Sequence, residues 1–435
     1  MTELLIENLR VLIPDTSVEG GKRALVDDVS IRIADGEVVA LVGESGSGKS
    51  VTARAVLGLF PDAATVEGRI LVDGTEVLTA SAQTIAELRH RTMSMIFQDP
   101  RTGINPVRRI GQFITESLTT NLGYSEARAR SRGEADLREV GFTNPERHFR
   151  QYPHELSGGM LQRVMIAGAI TTEPGLLLCD EATTALDVIT QAGIIALLDR
   201  VRAQHGLSML FITHNLDLAA AISDRCYVMR QGKVIEEGPS SQVLTKPREE
   251  YTRSLLASRP AEVASRERGP IDASSCLVVR DLGKSYGAGT RAVRAVQSIG
   301  FDVARGAAIG IVGQSGSGKS TVARMLVGLE RPDHGSVCVD GVELINSGRR
   351  RMSRMERARH VQMVFQDPYL SLDPRVQVRA AVYEAARMHS AMRGAELNAF
   401  VDSLFDRVGL TKLQAESAPR RLSGGQRQRA AIARA

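Results

Sequence analysis

The chain has 435 residues, 43% of them apolar and 24% charged, with a net charge of +5; this is the balance of a globular protein with more than one sizeable core, and it excludes a disordered chain. So small a positive charge is no argument for nucleic acid as a partner. No apolar run approaches the roughly 20 residues of a membrane-spanning helix, and Met1 opens onto polar and acidic residues rather than a leader pattern, so the expectation is a cytosolic chain that reaches a membrane only by docking.

In chain order, the first informative element is the strand-like run Glu37 to Val42, which leads into GESGSGKS at Gly43 to Ser50. Gly43, Gly48, Lys49 and Ser50 fit G-x-x-x-x-G-K-[ST], and the helix-like TARAVLGL follows, so the motif stands between a strand and a helix as a phosphate loop must. Glycines let successive backbone N–H groups point inward at phosphate oxygens, and the start of the helix adds its positive end. Lys49 is expected to reach the β- and γ-phosphates of ATP and the Ser50 hydroxyl to ligate Mg2+; Ser45, Gly46 and Val51 complete the cradle.

FQDP follows at Phe97 to Pro100, then a helical stretch from Phe113 to Arg150 and LSGG at Leu156 to Gly159. The apolar run Leu176 to Cys179 ends on Asp180 and Glu181, and Met209 to Ile212 leads to His214 ahead of a second helix-like run, LDLAAAI. Strands alternating with helices predict βαβ units and a largely parallel sheet, hence an α/β fold. On their own, an Asp-Glu pair reads as a helix cap and a lone histidine as structural; their order and spacing behind a phosphate loop turn them into candidate site residues.

The same landmarks then recur. GQSGSGKS spans Gly313 to Ser320, 270 residues after the first copy, FQDP returns at Phe365 to Pro368, and LSGG at Leu422 to Gly425. Three landmarks in one order at nearly one offset mean a duplicated domain. The expected division is 1–258 for the first copy, a polar, proline-bearing linker at 259–275 with no apolar periodicity, and 276–435 for the second. The run AAIGIV before the second phosphate loop is expected as its strand. Cys179, Cys226, Cys276 and Cys338 stand singly with no CxxC pairing and read as buried reduced thiols.

LSGGMLQRV at Leu156 to Val164 and LSGGQRQRAAIARA at Leu422 to Ala435 resemble the signature of the ABC ATPases, and the resemblance runs over nearly the whole chain. It implies the P-loop NTPase fold of ABC type: a mainly parallel core sheet, an antiparallel β subdomain and a helical subdomain, here duplicated. It further implies that two such copies pair head to tail as a pseudo-dimer, each signature covering the ATP held by the other copy. Ser157, Gly158 and Gly159 would then serve the ATP on Lys319, and Ser423, Gly424 and Gly425 the ATP on Lys49.

The resemblance also carries roles for single residues. Asp180 would hold Mg2+, Glu181 would polarise the attacking water, His214 would contact the γ-phosphate, and Gln98 would sense metal and water. In the second copy, Gly313, Ser315, Gly316, Gly318, Lys319, Ser320 and Thr321 would form the phosphate loop. Gln366 would be the Gln98 counterpart, with Ser320 and Gln366 at the metal, and Tyr286 would stack on adenine. Ile13 stands where the second copy has Tyr286, so the first site would lack a stacking ring. Ala182 replaces a usual proline and Asn215 a usual aspartate, and neither change removes a group that handles phosphate.

FQDPRTGINPVRRIGQFI, FQDPYLSLDPRVQV, the methionine-bearing signature helix and REEYTRSLL are similar to the oligopeptide and dipeptide permease ATPases. That implies an ATP-hydrolysing importer subunit at the cytoplasmic face of the membrane, docked on two transmembrane permease subunits and fed by an extracytoplasmic binding protein. Two other readings stay open from sequence. A soluble ABC ATPase of translation or DNA repair would carry EPTNHLD and a long charged linker, or zinc-binding cysteine pairs, where this chain has EATTALD and single cysteines. A non-catalytic product is the other: Asp180 follows Ser157 by 23 residues, so the second copy's aspartate is expected near position 446 (423 plus 23), beyond Ala435, and the second domain would lack its central strand.

Overall fold

A computed structural model describes residues 2–15, 21–183, 186–257, 272–287, 293–314, 316–346, 352–366 and 371–435. The chain divides into two compact units, Met1–Arg266 and Glu267–Ala435. The first begins β1 (Leu4–Pro14), β2 (Lys22–Ile33), β3 (Val38–Val42), α1 (Lys49–Val56), β4 (Thr65–Val72), β5 (Thr75–Glu76), α2 (Ala82–Arg91) and β6 (Met93–Ile96). A helical stretch follows, α3 (Pro100–Gly103), α4 (Ile110–Thr120), α5 (Glu126–Glu139), α6 (Pro145–His148) and α7 (Gly158–Ile170). Then come β7 (Leu176–Asp180), α8 (Val188–His205), β8 (Ser208–Thr213), α9 (Leu216–Ile222), β9 (Arg225–Arg230), β10 (Lys233–Pro239), α10 (Ser240–Val243) and α11 (Glu250–Ala257).

Two sheets form. One is antiparallel in the order β2-β1-β4-β5; the other runs β10-β9-β3-β8-β7-β6, parallel except where β10 meets β9. β3, β7 and β8 are buried along their whole length, which is why VVALV, LLLC and SMLFIT read as continuous rather than alternating apolar runs: a parallel strand is covered on both faces. One face, through Val39, Leu41, Leu178 and Ile212, packs on the antiparallel sheet; the other, through Val38, Leu177, Cys179 and Phe211, packs on α7, α8 and the helical stretch. Cys179 and Cys226 are buried free thiols as expected, whereas Cys276 and Cys338 are only half-buried.

Three of the helices next to the site, α7, α8 and α9, start on a side chain that caps them. Ser157 accepts from the Met160 amide, Asp187 from Thr190, and Asn215 from both Asp217 and Leu218. Asn caps as well as Asp does, so the Asn215 departure costs α9 nothing.

The second unit holds β11 (Asp272–Tyr286), β12 (Val293–Arg305), α12 (Lys319–Leu326), β13 (His334–Val339), β14 (Val342–Asn346), α13 (Arg354–Ala358), α14 (Val378–His389), α15 (Gly394–Arg407), α16 (Lys412–Ala415) and α17 (Gly424–Arg434). Its antiparallel sheet, β12-β11-β13-β14, repeats the first unit's, and α14, α15 and α17 pack around Val378, Val382, Leu397, Val401 and Phe405. β11 starts at Asp272, inside the stretch expected as linker; residues 259–271 of that stretch lie outside the described residues.

One expectation fails here. AAIGIV forms no strand, and Ile309, Ile311 and Val312 are 49%, 43% and 92% exposed. In the first unit the equivalent strand β3 is paired on both sides, by β8 and β9. Among the described residues of the second unit no strand lies beside this run. An apolar run without a partner strand has no ladder to join.

Candidate active site

β3 delivers the chain into the phosphate loop, and the loop's shape depends on residues without side chains. Gly43 has φ +149°, and a Cβ there would lie 2.2 Å from the Met229 carbonyl oxygen; at Gly48, φ +105°, it would lie 2.6 Å from that of Leu25. Both neighbours are backbone and cannot yield, so only glycine fits. The loop is therefore wedged between β9 and β2, with α1 starting at Lys49 immediately behind it.

Lys49 is buried, and its Nζ donates to the carbonyls of Gly43 and Glu44, both at 2.8 Å. Burial pulls its ammonium below the ordinary lysine range, against the opposite pull of the Glu181, Asp180 and Glu44 carboxylates. A desolvated cation at the mouth of an amide-lined loop is an anion-binding arrangement. Ser50 Oγ, one residue on, donates to Asp180 Oδ1 at 2.7 Å, although 130 residues separate them. Parallel pairing of β3 and β7 with β8 between them brings the two together at the carboxyl ends of the strands, where open α/β sheets bind ligands.

Asp180 is 1% exposed; burial pushes its carboxyl up, opposed by the Ser50 hydrogen bond and the nearby Arg54. Glu181 turns out of the strand with φ +48°, a left-handed conformation that costs a non-glycine residue about 1–3 kcal/mol and persists where surroundings enforce it. Here the Glu181 amide is tied to the Ile212 carbonyl at 3.0 Å, while its carboxylate takes Gln98 Nε2 on one oxygen at 2.7 Å and faces His214 Nδ1 with the other at 3.2 Å. The hydrogen bond to Glu181 raises the His214 pKa above the ordinary histidine value. The structure thus brings Lys49, Ser50, Gln98, Asp180, Glu181 and His214 to one end of one sheet.

The donor set fits Mg2+. Hydroxyl, carboxylate and amide oxygens from Ser50, Asp180 and Gln98 are hard ligands, and Mg2+ takes one or two carboxylates with the remaining positions left to phosphate and water.

Ser157 is exposed at the start of α7, with Gly158 and Gly159 behind it; a Cβ on Gly159 would lie 2.7 Å from Thr190 Cγ2. Ser423, Gly424 and Gly425 are exposed at the start of α17. In the second phosphate loop Lys319 Nζ repeats the two carbonyl bonds, to Gly313 and Gln314, both at 2.7 Å, but in an exposed setting. Gly316, Gly318, Ser320 and Thr321 surround it, Gln366 is exposed, and Ser315 lies outside the described residues. Tyr286, 40% exposed, ends β11, with the Lys284 ammonium 5.5 Å from its ring centre. Ile13 occupies the matching end of β1, paired with Arg23 and so two residues along β2 from the Leu25 carbonyl against Gly48.

The family model described as ABC transporter matches residues 26–184 and 296–435. This chain belongs to the ABC transporter family. It is similar to a peptidoglycan transport ATP-binding protein, YejF, of Agrobacterium fabrum, 42% identical over 428 residues, 96% of this chain and 77% of the relative. It is also similar to the glutathione import ATP-binding protein GsiA of Escherichia coli K12, 36% identical over 99% of this chain and 75% of the relative. Among solved structures, cbiO1 of Clostridium perfringens, part of the ABC transporter complex cbiONQ, matches 59% of this chain and 95% of its own, at 27% identity and a TM-score of 0.48. The chain is an ABC ATPase, an ATP-binding subunit that couples ATP hydrolysis to transport, and no helix among its described residues is long and apolar enough to cross a membrane.

Sequence reasoning missed Tyr251. Its hydroxyl accepts the Glu44 amide of the phosphate loop at 3.4 Å across 207 residues. The sequence offered REEYTRSLL as a family feature, but nothing in that string says which loop its tyrosine reaches.

Proposed function

We propose that this ABC ATPase powers the import of peptides or related small solutes from the cytoplasmic face of the membrane, docked on two permease subunits that a separate extracytoplasmic binding protein supplies. The observation that carries this reading is the similarity, over nearly the whole chain, to relatives named for peptidoglycan transport and glutathione import. The absence of charge or cysteine features suited to nucleic-acid work agrees with it.

In this reading Lys49 and the amides of Gly43 to Val51 hold the phosphates, and Ser50, Asp180 and Gln98 hold Mg2+. Mg2+ held there would supply positive charge to offset that of the phosphate oxygens. Glu181 accepts the proton of the water that attacks the γ-phosphorus as the bond to the ADP oxygen breaks, and His214 donates to the γ-phosphate. Gln98, on the chain between β6 and the helical stretch, links the state of Glu181 to the Phe113 to Arg150 segment proposed to meet the permeases. Ser157 and Gly159 are proposed for phosphate contact through the exposed start of α7.

Lys49→Ala is expected to bring ATP hydrolysis to background and, in the host cell, to abolish uptake of a radiolabelled tripeptide. Uptake at the wild-type rate despite lost hydrolysis would overturn the import reading.

Adenine contact separates the two copies. Base stacking on an aromatic ring is worth about 1–3 kcal/mol, so Ile13→Tyr is expected to tighten ATP binding at the first site by on the order of tenfold. An unchanged Kd in titration calorimetry would show that another group already covers the base.

A further inference from the structure

α11 is the last described element of the first unit, and its position is fixed from both ends. Glu236, nearly buried on β10, accepts the amides of Arg248 and Glu249 at 2.7 and 3.3 Å, which holds the start of the helix. Along its inner face, Tyr251, Leu255 and Leu256 pack against an apolar cluster to which β3 contributes Ala40 and Val42, α9 Leu216 and Ala219, and β9 Cys226 and Val228. Of these, β3 and α9 are the two elements that carry the phosphate loop and His214. Tyr251 then reaches past the core: its ring lies under the Arg230 guanidinium, 4.7 Å from the ring centre, and its hydroxyl accepts the Glu44 amide. Arg230 follows Met229, whose carbonyl oxygen presses on Gly43. The first two residues of the phosphate loop are therefore gripped on their outer side, one by β9 and the next by α11.

We infer that Tyr251 is a positioning residue of the first nucleotide site, holding the entry of the phosphate loop in its binding shape. The inference rests on the reading of Gly43 to Ser50 as the nucleotide loop. A glycine-rich loop loses more conformational freedom on ordering than any other segment. A hydroxyl that takes the Glu44 amide fixes that residue before the phosphate arrives, so less ordering remains to be done on binding. Tyr251 touches neither phosphate nor base, so its effect lies on affinity and not on the chemical step.

The test is steady-state ATP hydrolysis by the full chain, since Glu181 and His214, the residues proposed for the chemistry, belong to this first copy. Tyr251→Phe keeps the ring beneath Arg230 and removes only the acceptor; one hydrogen bond of modest strength predicts a KM for ATP about 3-fold higher, with kcat and Tm unchanged. The rise should be equal for GTP, because the loop holds phosphate and not base. Tyr251→Ala, which also removes the packing, should raise KM further. A wild-type KM in Tyr251→Phe, or a KM rise accompanied by a matching fall in Tm and kcat, overturns the proposal. Lys49→Ala in a direct ATP-binding titration separates the two ways to fail. Loss of one bound ATP per chain there with no effect of Tyr251→Phe sinks only the role of Tyr251, whereas an ATP stoichiometry unchanged from wild type sinks the loop reading and the proposal together.

Discussion

Glu181→Gln is expected to lower ATP turnover by at least about 100-fold, a loss of roughly 2.7 kcal/mol in transition-state stabilisation, while leaving ATP affinity near the wild-type value. The split follows from where the side chains sit. Lys49 and Ser50, with Asp180 beside them, face the place proposed for phosphate and metal, whereas Glu181 is turned out of β7 by its positive φ and holds its carboxylate between Gln98 and His214. Glutamine has the same shape and still offers an oxygen to Gln98 Nε2, so the site keeps its geometry. It loses the charge that would draw a proton from water. Because the hydrogen bond to that carboxylate raises the His214 pKa, the same substitution should let the His214 titration fall toward the ordinary histidine range, followed by NMR. The sign is fixed: the raised pKa reflects an imidazolium stabilised by its anionic neighbour, and removing the anion removes the stabilisation. Turnover within a fewfold of wild type would remove Glu181 from the role of base.

The site was legible in the sequence to the extent that its chemistry is carried by residue type at fixed spacing. GESGSGKS, the Asp180-Glu181 pair at the end of an apolar run and His214 after another each sit where the strand and helix signals placed them, since buried parallel strands leave an unbroken apolar trace. What stayed hidden is what no residue type encodes. The φ of +48° at Glu181 is imposed by the Ile212 carbonyl and by two side chains from other loops, and glutamate has no preference for that conformation. Tyr251 reaches Glu44 through the packing of α11 on β3, a consequence of the finished fold. AAIGIV shows the converse error: its apolar run has the composition of a strand, but pairing is a property of two segments and only one was being read.

Digestion of the 435-residue chain with a low concentration of trypsin is expected to leave a resistant N-terminal fragment of about 258 residues, with rapid loss of the remainder; resistance tracks how seldom a segment opens. In the first unit the six-stranded sheet lies between two apolar cores and joins them, its central strands β3, β7 and β8 buried on both faces. Opening any part of it exposes both. The second unit has two smaller cores, one beneath its antiparallel sheet around Val279, Leu282 and Met325, the other among α14, α15 and α17. Within the span of the first core run residues 307–314, which form no strand and leave Val312 92% exposed. Without a shared sheet each core must stand on its own burial, and at about 25 cal/mol per Å² of apolar surface a few side chains offset little of the roughly 1–2 kcal/mol of backbone entropy for every residue ordered. Arg305, exposed at the end of β12, and Arg324 on α12 are then open to cleavage as soon as either core breathes. Mass spectrometry of the time course distinguishes the outcomes. A C-terminal fragment that survives as long as the N-terminal one, and still binds ATP through Lys319, would show that the second copy closes its core without a parallel sheet.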